Sequence, residues 1–208
     1  MVTQPVLRVV RGVSILVVLA AIVAQARTLA DANLFDWTRF FAFFTIQSNL
    51  VGVAAFAWLV ARPGPRSRGL ELFRVGAAAY LTVTFLVVIV LLSGVDVQLQ
   101  LVWVDVVLHK IFPVIVVADL LLDPPRTRLV YGDIGVLLVY PLIWTVLTVI
   151  RGAIDGWYPY PFLDPAHGGY GQVAVTIVAV LIGFLMIAAA IIWLANWRRE
   201  ASPEMRPA

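Results

Sequence analysis

The sequence has no cysteine and a single lysine among its fifteen basic residues. Without cysteine there is no disulfide, no thiolate metal site and no Cys nucleophile. Charge of either sign is scarce. Asp, Glu, Lys and Arg make up 13% of the 208 residues, where a soluble domain carries about a quarter. With 62% hydrophobic residues and a mean hydropathy of +0.97, the chain is neither an ordinary water-soluble globule nor a disordered one. Lipid is its expected solvent. Histidine is nearly absent too: His109 and His167 are the only two, far apart and outside any His-Glu-x-x-His, so no metal site is expected. A P-loop, a dinucleotide fingerprint and a Gly-x-Ser-x-Gly elbow are also missing, and no cofactor is expected. The net charge of +3 comes from arginines in short clusters between apolar runs, so no nucleic-acid partner is expected.

A membrane-spanning helix needs about 20 mostly apolar residues. Six stretches approach this, at 10–28, 38–61, 72–93, 101–122, 129–150 and 172–197. None alternates with period two, so the expected fold is all-α, one domain over 1–208 built as a bundle of six transmembrane helices. The connections are Arg27–Trp37, Arg62–Glu71, Gly94–Gln100, Asp123–Arg128 and Arg151–Gly171. Eleven arginines (8, 11, 62, 66, 68, 74, 126, 128, 198, 199 and 206) fall on one side of this topology. Arg27, Arg39 and Arg151 fall on the other. The bias predicts both termini in the cytoplasm. Arg8, Arg11, the run Val13–Val23 and Ala24-Gln25-Ala26 also mimic a signal peptide; the expectation is that span one stays, as a wall of the bundle.

Polar residues inside lipid are costly, and two spans collect them. Span two holds Thr45-Ile46-Gln47-Ser48-Asn49, with Thr45, Ser48 and Asn49 on one face. Span four holds Asp105, His109, Lys110 and Asp119. Asp105 lies four residues before His109, so its carboxylate can accept from one imidazole nitrogen and leave the other as a base. Thr45 is about eight residues past Trp37, and His109 about eight past Leu101, which predicts matched depth. The long fifth connection, with Trp157-Tyr158-Pro159-Tyr160-Pro161-Phe162, is placed to roof such a site. Structural readings stand beside these. A membrane Thr commonly bonds its own i−4 carbonyl, Ser48 and Asn49 suit helix–helix contacts, and Asp105–His109 can be a satisfied pair. Lys110 can snorkel, pair with Asp155 or Asp164, or hold a substrate anion. Asp119 is expected to neutralise Arg126 or Arg62, and His167 to be solvated.

Three segments then resemble one family. They are Phe43-Phe44-Thr45-Ile46-Gln47-Ser48-Asn49-Leu50, Trp103-x5-His109-x3-Pro113-x5-Asp119, and Arg151-x4-Gly156-Trp157-Tyr158-Pro159-Tyr160-Pro161-Phe162-Leu163-Asp164. They are similar to segments of the androgen-induced gene one and androgen-dependent TFPI-regulating proteins and their bacterial six-span relatives. The resemblance implies a multipass intramembrane threonine hydrolase cleaving fatty acid esters of hydroxy fatty acids, with Thr45 and His109 matching the dyad. Gln47-Ser48-Asn49 and Lys110 look more like the bacterial branch, which implies a bacterial cytoplasmic membrane.

The two readings join in one expectation. Thr45 attacks a lipid ester carbonyl, His109 takes its proton, Asp105 orients His109, and Asn49 or Ser48 donates to the oxyanion. Lys110 or Arg151 anchors a carboxylate, and Trp157 and Tyr160 contact the substrate, a lipid-like ester entering from the bilayer among membrane lipids. Two alternatives stay open: a proton-coupled transporter using Asp105, His109 and Lys110 as a relay, and a non-catalytic membrane scaffold.

Overall fold

A computed structural model describes residues 3–62, 64–92 and 101–201. The expected connection Gly94–Gln100, Ser93 at the end of span three, and Arg206 lie outside the described residues. Within them the protein is all-helical, without a strand. The elements are α1 (Gln4–Asp31), α2 (Trp37–Phe40), α3 (Phe44–Ala61), α4 (Arg68–Val90), α5 (Val102–Val106), a π-helical turn (Val107–Ile111), α6 (Phe112–Leu122), α7 (Ile134–Asp155) and α8 (Gly169–Glu200). Among the described residues five helices are long and apolar enough to cross a membrane: Gln4–Asp31, Phe44–Ala61, Arg68–Val90, Tyr131–Asp155 and Gly169–Glu200. The expected span at 101–122 is helical from Val102 to Leu122 but divided by the π-turn.

α4 lies at the centre, against α3, α6 and α8, and α1 packs on α3. The centre is possible because Gly76-Ala77-Ala78-Ala79 keeps that stretch of α4 thin and fully buried, so neighbouring backbones come close. Gly52 of α3 serves the same end, since a Cβ there would meet the Phe112 ring at 2.7 Å. α7 stands further out. Val136, Val139, Ile143, Val146, Leu147 and Ile150 are all exposed on it, an apolar face compatible with lipid. Its attachment is through aromatic side chains. Tyr140 Oη donates to Gln47 Oε1, Trp144 Nε1 donates to the Ala42 carbonyl, and the Tyr140 ring stacks on Phe44.

Two expected spans are interrupted, and both interruptions have local causes. Span two was expected to run unbroken over 38–61. Instead α2 is a single turn started by Asp36, whose carboxylate accepts from the Thr38 and Arg39 N–H groups. The chain then extends at Phe43 and restarts as α3 at Phe44. Carbonyls freed at the break are taken up by side chains: Gln47 Nε2 donates to Phe41 O and Trp144 Nε1 to Ala42 O. In span four, Pro113 has no N–H for an i−4 bond, and its ring would crowd the His109 carbonyl. The helix widens there, and Phe112 N–H donates back to Val107 O. The Leu108 carbonyl thereby released accepts from Asn49 Nδ2 at 3.2 Å.

At the end away from Thr45, three buried arginines and three buried carboxylates form a network, with Arg126 reaching Asp123 from its exposed edge at 3.8 Å. Arg11 pairs with Asp119 (2.7 Å) and Asp123 (2.6 Å), Arg66 with Glu71 (2.9 Å) and Asp123 (2.7 Å), and Arg74 with Glu71 (2.9 Å) and Asp119 (3.2 Å). All six side chains are buried. This corrects the expectation for Asp119, which meets Arg11 and Arg74 and not Arg126 or Arg62. Arg11, Arg66 and Arg74 are likewise structural cations inside the bundle, beyond any part they play in orientation. The network joins α1, α4, α6 and the α3–α4 connection, and its charges cancel, as burial demands. Asp123 lies just past the end of α6. Burial opposes its ionisation, but the Arg11 hydrogen bond and the charges of Arg66 and Arg74 prevail and hold its carboxyl at about 2.

Candidate active site

The break before α3 decides the setting of Thr45. In a continuous helix its hydroxyl would turn back to a carbonyl one turn earlier. Ser14, Thr28, Thr82, Thr84, Thr145 and Thr176 all do this, each donating to its own i−4 carbonyl. Thr45 stands second in α3, at the helix start. Its Oγ1 lies 3.1 Å from His109 Nε2 and 3.4 Å from Tyr160 Oη. The depth expected from counting along one helix from Trp37 therefore comes about differently: Thr45 begins a helix that starts below the surface turn.

His109 lies in the π-turn, almost fully buried. Its Nδ1 is 2.7 Å from Asp105 Oδ1. A carboxylate only accepts, so Nδ1 carries the hydrogen and Nε2 presents its lone pair to the Thr45 hydroxyl. The wide turn also brings Lys110, five residues on, over the same carboxylate, with Nζ 3.2 Å from Asp105 Oδ2. In an ordinary helix Lys110 would stand about 100° away from His109. The result is a chain Lys110–Asp105–His109–Thr45.

Tyr160 closes the site from above. It is buried in the connection between α7 and α8, and its hydroxyl accepts from the Thr45 N–H at 3.3 Å. First-turn N–H groups have no acceptor within their helix, so the phenol oxygen sits where a helix start favours negative charge. Burial pushes the Tyr160 phenol up from its ordinary value, against an opposing pull from the Thr45 and Phe44 hydrogen bonds. The phenol therefore keeps its proton and can donate a hydrogen bond.

Thr45, His109 and Tyr160 face an outer cavity of about 430 Å³, whose other polar lining is Trp157, Arg39, Asp36 and Gln25 and whose remaining walls are apolar. Behind Thr45 lies a second, narrower cavity of about 110 Å³ between α4, α7 and α8, lined almost wholly by apolar side chains.

Several expected roles do not survive the geometry. Ser48 Oγ donates to Thr45 O and meets Thr84 Oγ1, and Asn49 Nδ2 donates to Thr45 O and Leu108 O. Both are fully buried behind Thr45, with their donors turned to backbone carbonyls and away from the cavity. Lys110 does not line the cavity, and its partner is Asp105, not Asp155 or Asp164. Arg151 is also outside it: its guanidinium bonds Asp155 and Thr38 and lies 5.2 Å from the Trp157 ring. Trp157 and Tyr160 do line the cavity. Arg39 and Gln25, overlooked in the sequence, line it as well. Arg39 shares Trp157 with Arg151 at 5.3 Å, and Gln25 had been hidden in a motif resembling a signal-peptide end. His167 is exposed and lies 3.6 Å from Asp164. Among the described residues no group of three or more acidic or histidine side chains is placed to hold a metal.

No protein family, curated protein or solved structure matches this chain. The chemistry of the site therefore rests on its own geometry.

Proposed function

We propose that the protein is an intramembrane threonine hydrolase acting on lipid esters. The observation that carries this reading is the aligned series Asp105, His109 and Thr45, with bonds of 2.7 and 3.1 Å, whose His109 and Thr45 line a cavity. A hydroxyl, a base within hydrogen-bond reach and a group orienting that base are the parts that nucleophilic acyl transfer requires. The Thr45 Oγ–H proton passes to His109 Nε2 as Oγ bonds to the ester carbon, and the carbonyl π pair moves onto oxygen. Tyr160 Oη and the Thr45 N–H stand beside the nucleophile to receive that charge, taking the role expected of Asn49 or Ser48. Collapse breaks the carbon–alkoxy bond, and the alkoxy oxygen takes the proton from His109. Water then repeats the sequence: it bonds to the acyl carbon, gives a proton to His109, and the Oγ–acyl bond breaks with the proton returning to Oγ. The products are a carboxylic acid and an alcohol.

In this reading 102–122 is a sixth span carrying a π-turn, and the arginine-rich end faces the cytoplasm by the positive-inside rule. A bacterial cytoplasmic membrane and the fatty acid esters of hydroxy fatty acids follow from the resemblance of the three segments. A proton relay is less well supported, because Leu108, Phe112 and Val116 fill the interior between His109 and Asp119. The test is labelling of the membrane-embedded protein by a fluorophosphonate probe. The unmodified protein is expected to label, with Thr45→Ala unlabelled and His109→Ala strongly slowed. Labelling that survives both substitutions defeats the assignment.

A further inference from the structure

We infer that an ester substrate divides at Thr45, its acyl chain entering the apolar cleft between α4, α7 and α8 and its alcohol arm occupying the outer cavity. This rests on the hydrolase reading and adds the direction in which the substrate lies. Thr45, Tyr160 and Leu92 line both cavities, so the nucleophile and its neighbour belong to the wall between them. His109 lines only the outer one. That asymmetry fixes the orientation. When the tetrahedral intermediate collapses, the breaking bond is carbon–alkoxy, and the leaving oxygen takes its proton from His109 Nε2. The alkoxy oxygen must then lie on the His109 side. Of the other substituents on that carbon, Oγ belongs to Thr45 and the oxyanion turns toward Tyr160 Oη and the Thr45 N–H. The acyl carbon is left facing the opposite cavity.

The linings agree with this division. The cleft offers Val83, Val87, Leu138, Leu181 and Phe184, with Leu142 at its rim 45% exposed toward the lipid face. An unbranched alkyl chain fits such a surface, and it enters sideways from the bilayer between α7 and α8. α7 flanks this cleft, tied by Tyr140 to Gln47 of α3, by Trp144 to the Ala42 carbonyl just before α3, and by its Leu137 carbonyl to Tyr80 of α4. The outer cavity is larger and includes Arg39, Asp36 and Gln25, which suit an alcohol arm bearing polar or anionic groups.

The test uses purified full-length protein in lipid nanodiscs and two ester series, acetyl and octanoyl esters of one fluorogenic alcohol, and butyrates of a small and a bulky alcohol. Val87→Phe and Leu138→Phe narrow the cleft from two different helices. Each is expected to lower the octanoyl-to-acetyl rate ratio about tenfold, the scale set by a few methylenes in an apolar pocket. The small-to-bulky alcohol ratio is expected to stay within about twofold. Leu138→Ala widens the cleft and is expected to raise the octanoyl-to-acetyl ratio, so the proposal stays testable if the larger side chains prevent folding. Leu29→Phe, in the outer cavity, is expected to move the alcohol ratio alone. Cleft substitutions that move the alcohol ratio and leave the acyl ratio fixed overturn the orientation while leaving the hydrolase reading intact. Absence of turnover and of fluorophosphonate labelling in the unmodified protein overturns both.

Discussion

Replacing Asp119 by Asn tests whether the buried network holds the bundle together. The substitution keeps the shape of the side chain and removes one charge. Asp119 takes two bonds from Arg11, at 2.7 and 3.1 Å, and one from Arg74 at 3.2 Å. After the change three buried guanidinium groups face two carboxylates. Breaking one side of a buried pair costs about 3–5 kcal/mol, mostly because a charge is left uncompensated. For a chain of this size 1 kcal/mol moves the melting temperature by about 2–4 °C, so a fall of about 6–20 °C is expected in a thermal melt of the protein in nanodiscs. The paired substitution Arg11→Met with Asp119→Leu leaves Arg66 and Arg74 against Glu71 and Asp123, a balanced set. It is expected to regain most of the loss, since apolar replacements of a whole ion pair are often neutral. A single variant melting within about 2 °C of the parent, or a double variant no better than the single, would refute the account of the network.

Other consequences are open to direct measurement. The Asp123 carboxyl has its pKa lowered to about 2 in the folded protein against an ordinary 3.8. Its stabilising contribution is complete above about pH 4 and is lost as pH falls through about 2, a difference of about 2 kcal/mol; Asp123→Asn is expected to flatten that part of a stability–pH curve. Asp105→Asn removes a charge-assisted bond to His109, one that stabilises by about 1.5–3 kcal/mol when shielded. With the Asp105 side chain 28% exposed, a loss in kcat near the lower end, about tenfold, is expected in ester-hydrolysis assays, with a smaller change in KM. Asn49→Ala leaves the Leu108 carbonyl without its side-chain donor and is expected to cost about 1–3 kcal/mol in the same melts; an unchanged melt would mean that the π-turn does not depend on Asn49.

The helical class was legible because lipid leaves few ways to satisfy a backbone, and composition reports the solvent directly. The Asp105–His109 contact was legible from a four-residue spacing on a helix. Counting residues reached only a matched depth for Thr45 and His109; their contact, 3.1 Å in the structure, comes about by another physical route. Hydropathy is averaged over a window and registers neither the break at 41–43, where Phe41-Ala42-Phe43 is apolar, nor the π-turn, whose His109 and Lys110 lower the average without showing how the helix is wound. What marks these places is polar and lies elsewhere in the sequence: Gln47 and Trp144 for the break, Pro113 and Asn49 for the turn. Arginine was harder still. Nothing local separates Arg62, beside the Trp58 ring, from Arg11, which is 2% exposed. Only the long-range partners Asp119 and Asp123 tell them apart. Tyr160 was singled out for substrate contact on its loop, and its bond to the start of α3 could be seen only once that start was located.

The π-turn has a further consequence for phasing. A straight helix has one rotational setting, and every side chain on it turns together. The segment 102–122 must meet two demands with unrelated angular positions, His109 against Thr45 at one end and Asp119 against Arg11 and Arg74 at the other. The extra residue in Val107–Ile111 works as a phase adjuster between them. Winding the same residues as an ordinary helix would rotate one end about 100° against the other. The ion network, anchored by three arginines, would keep its setting, and the histidine would turn away from its threonine.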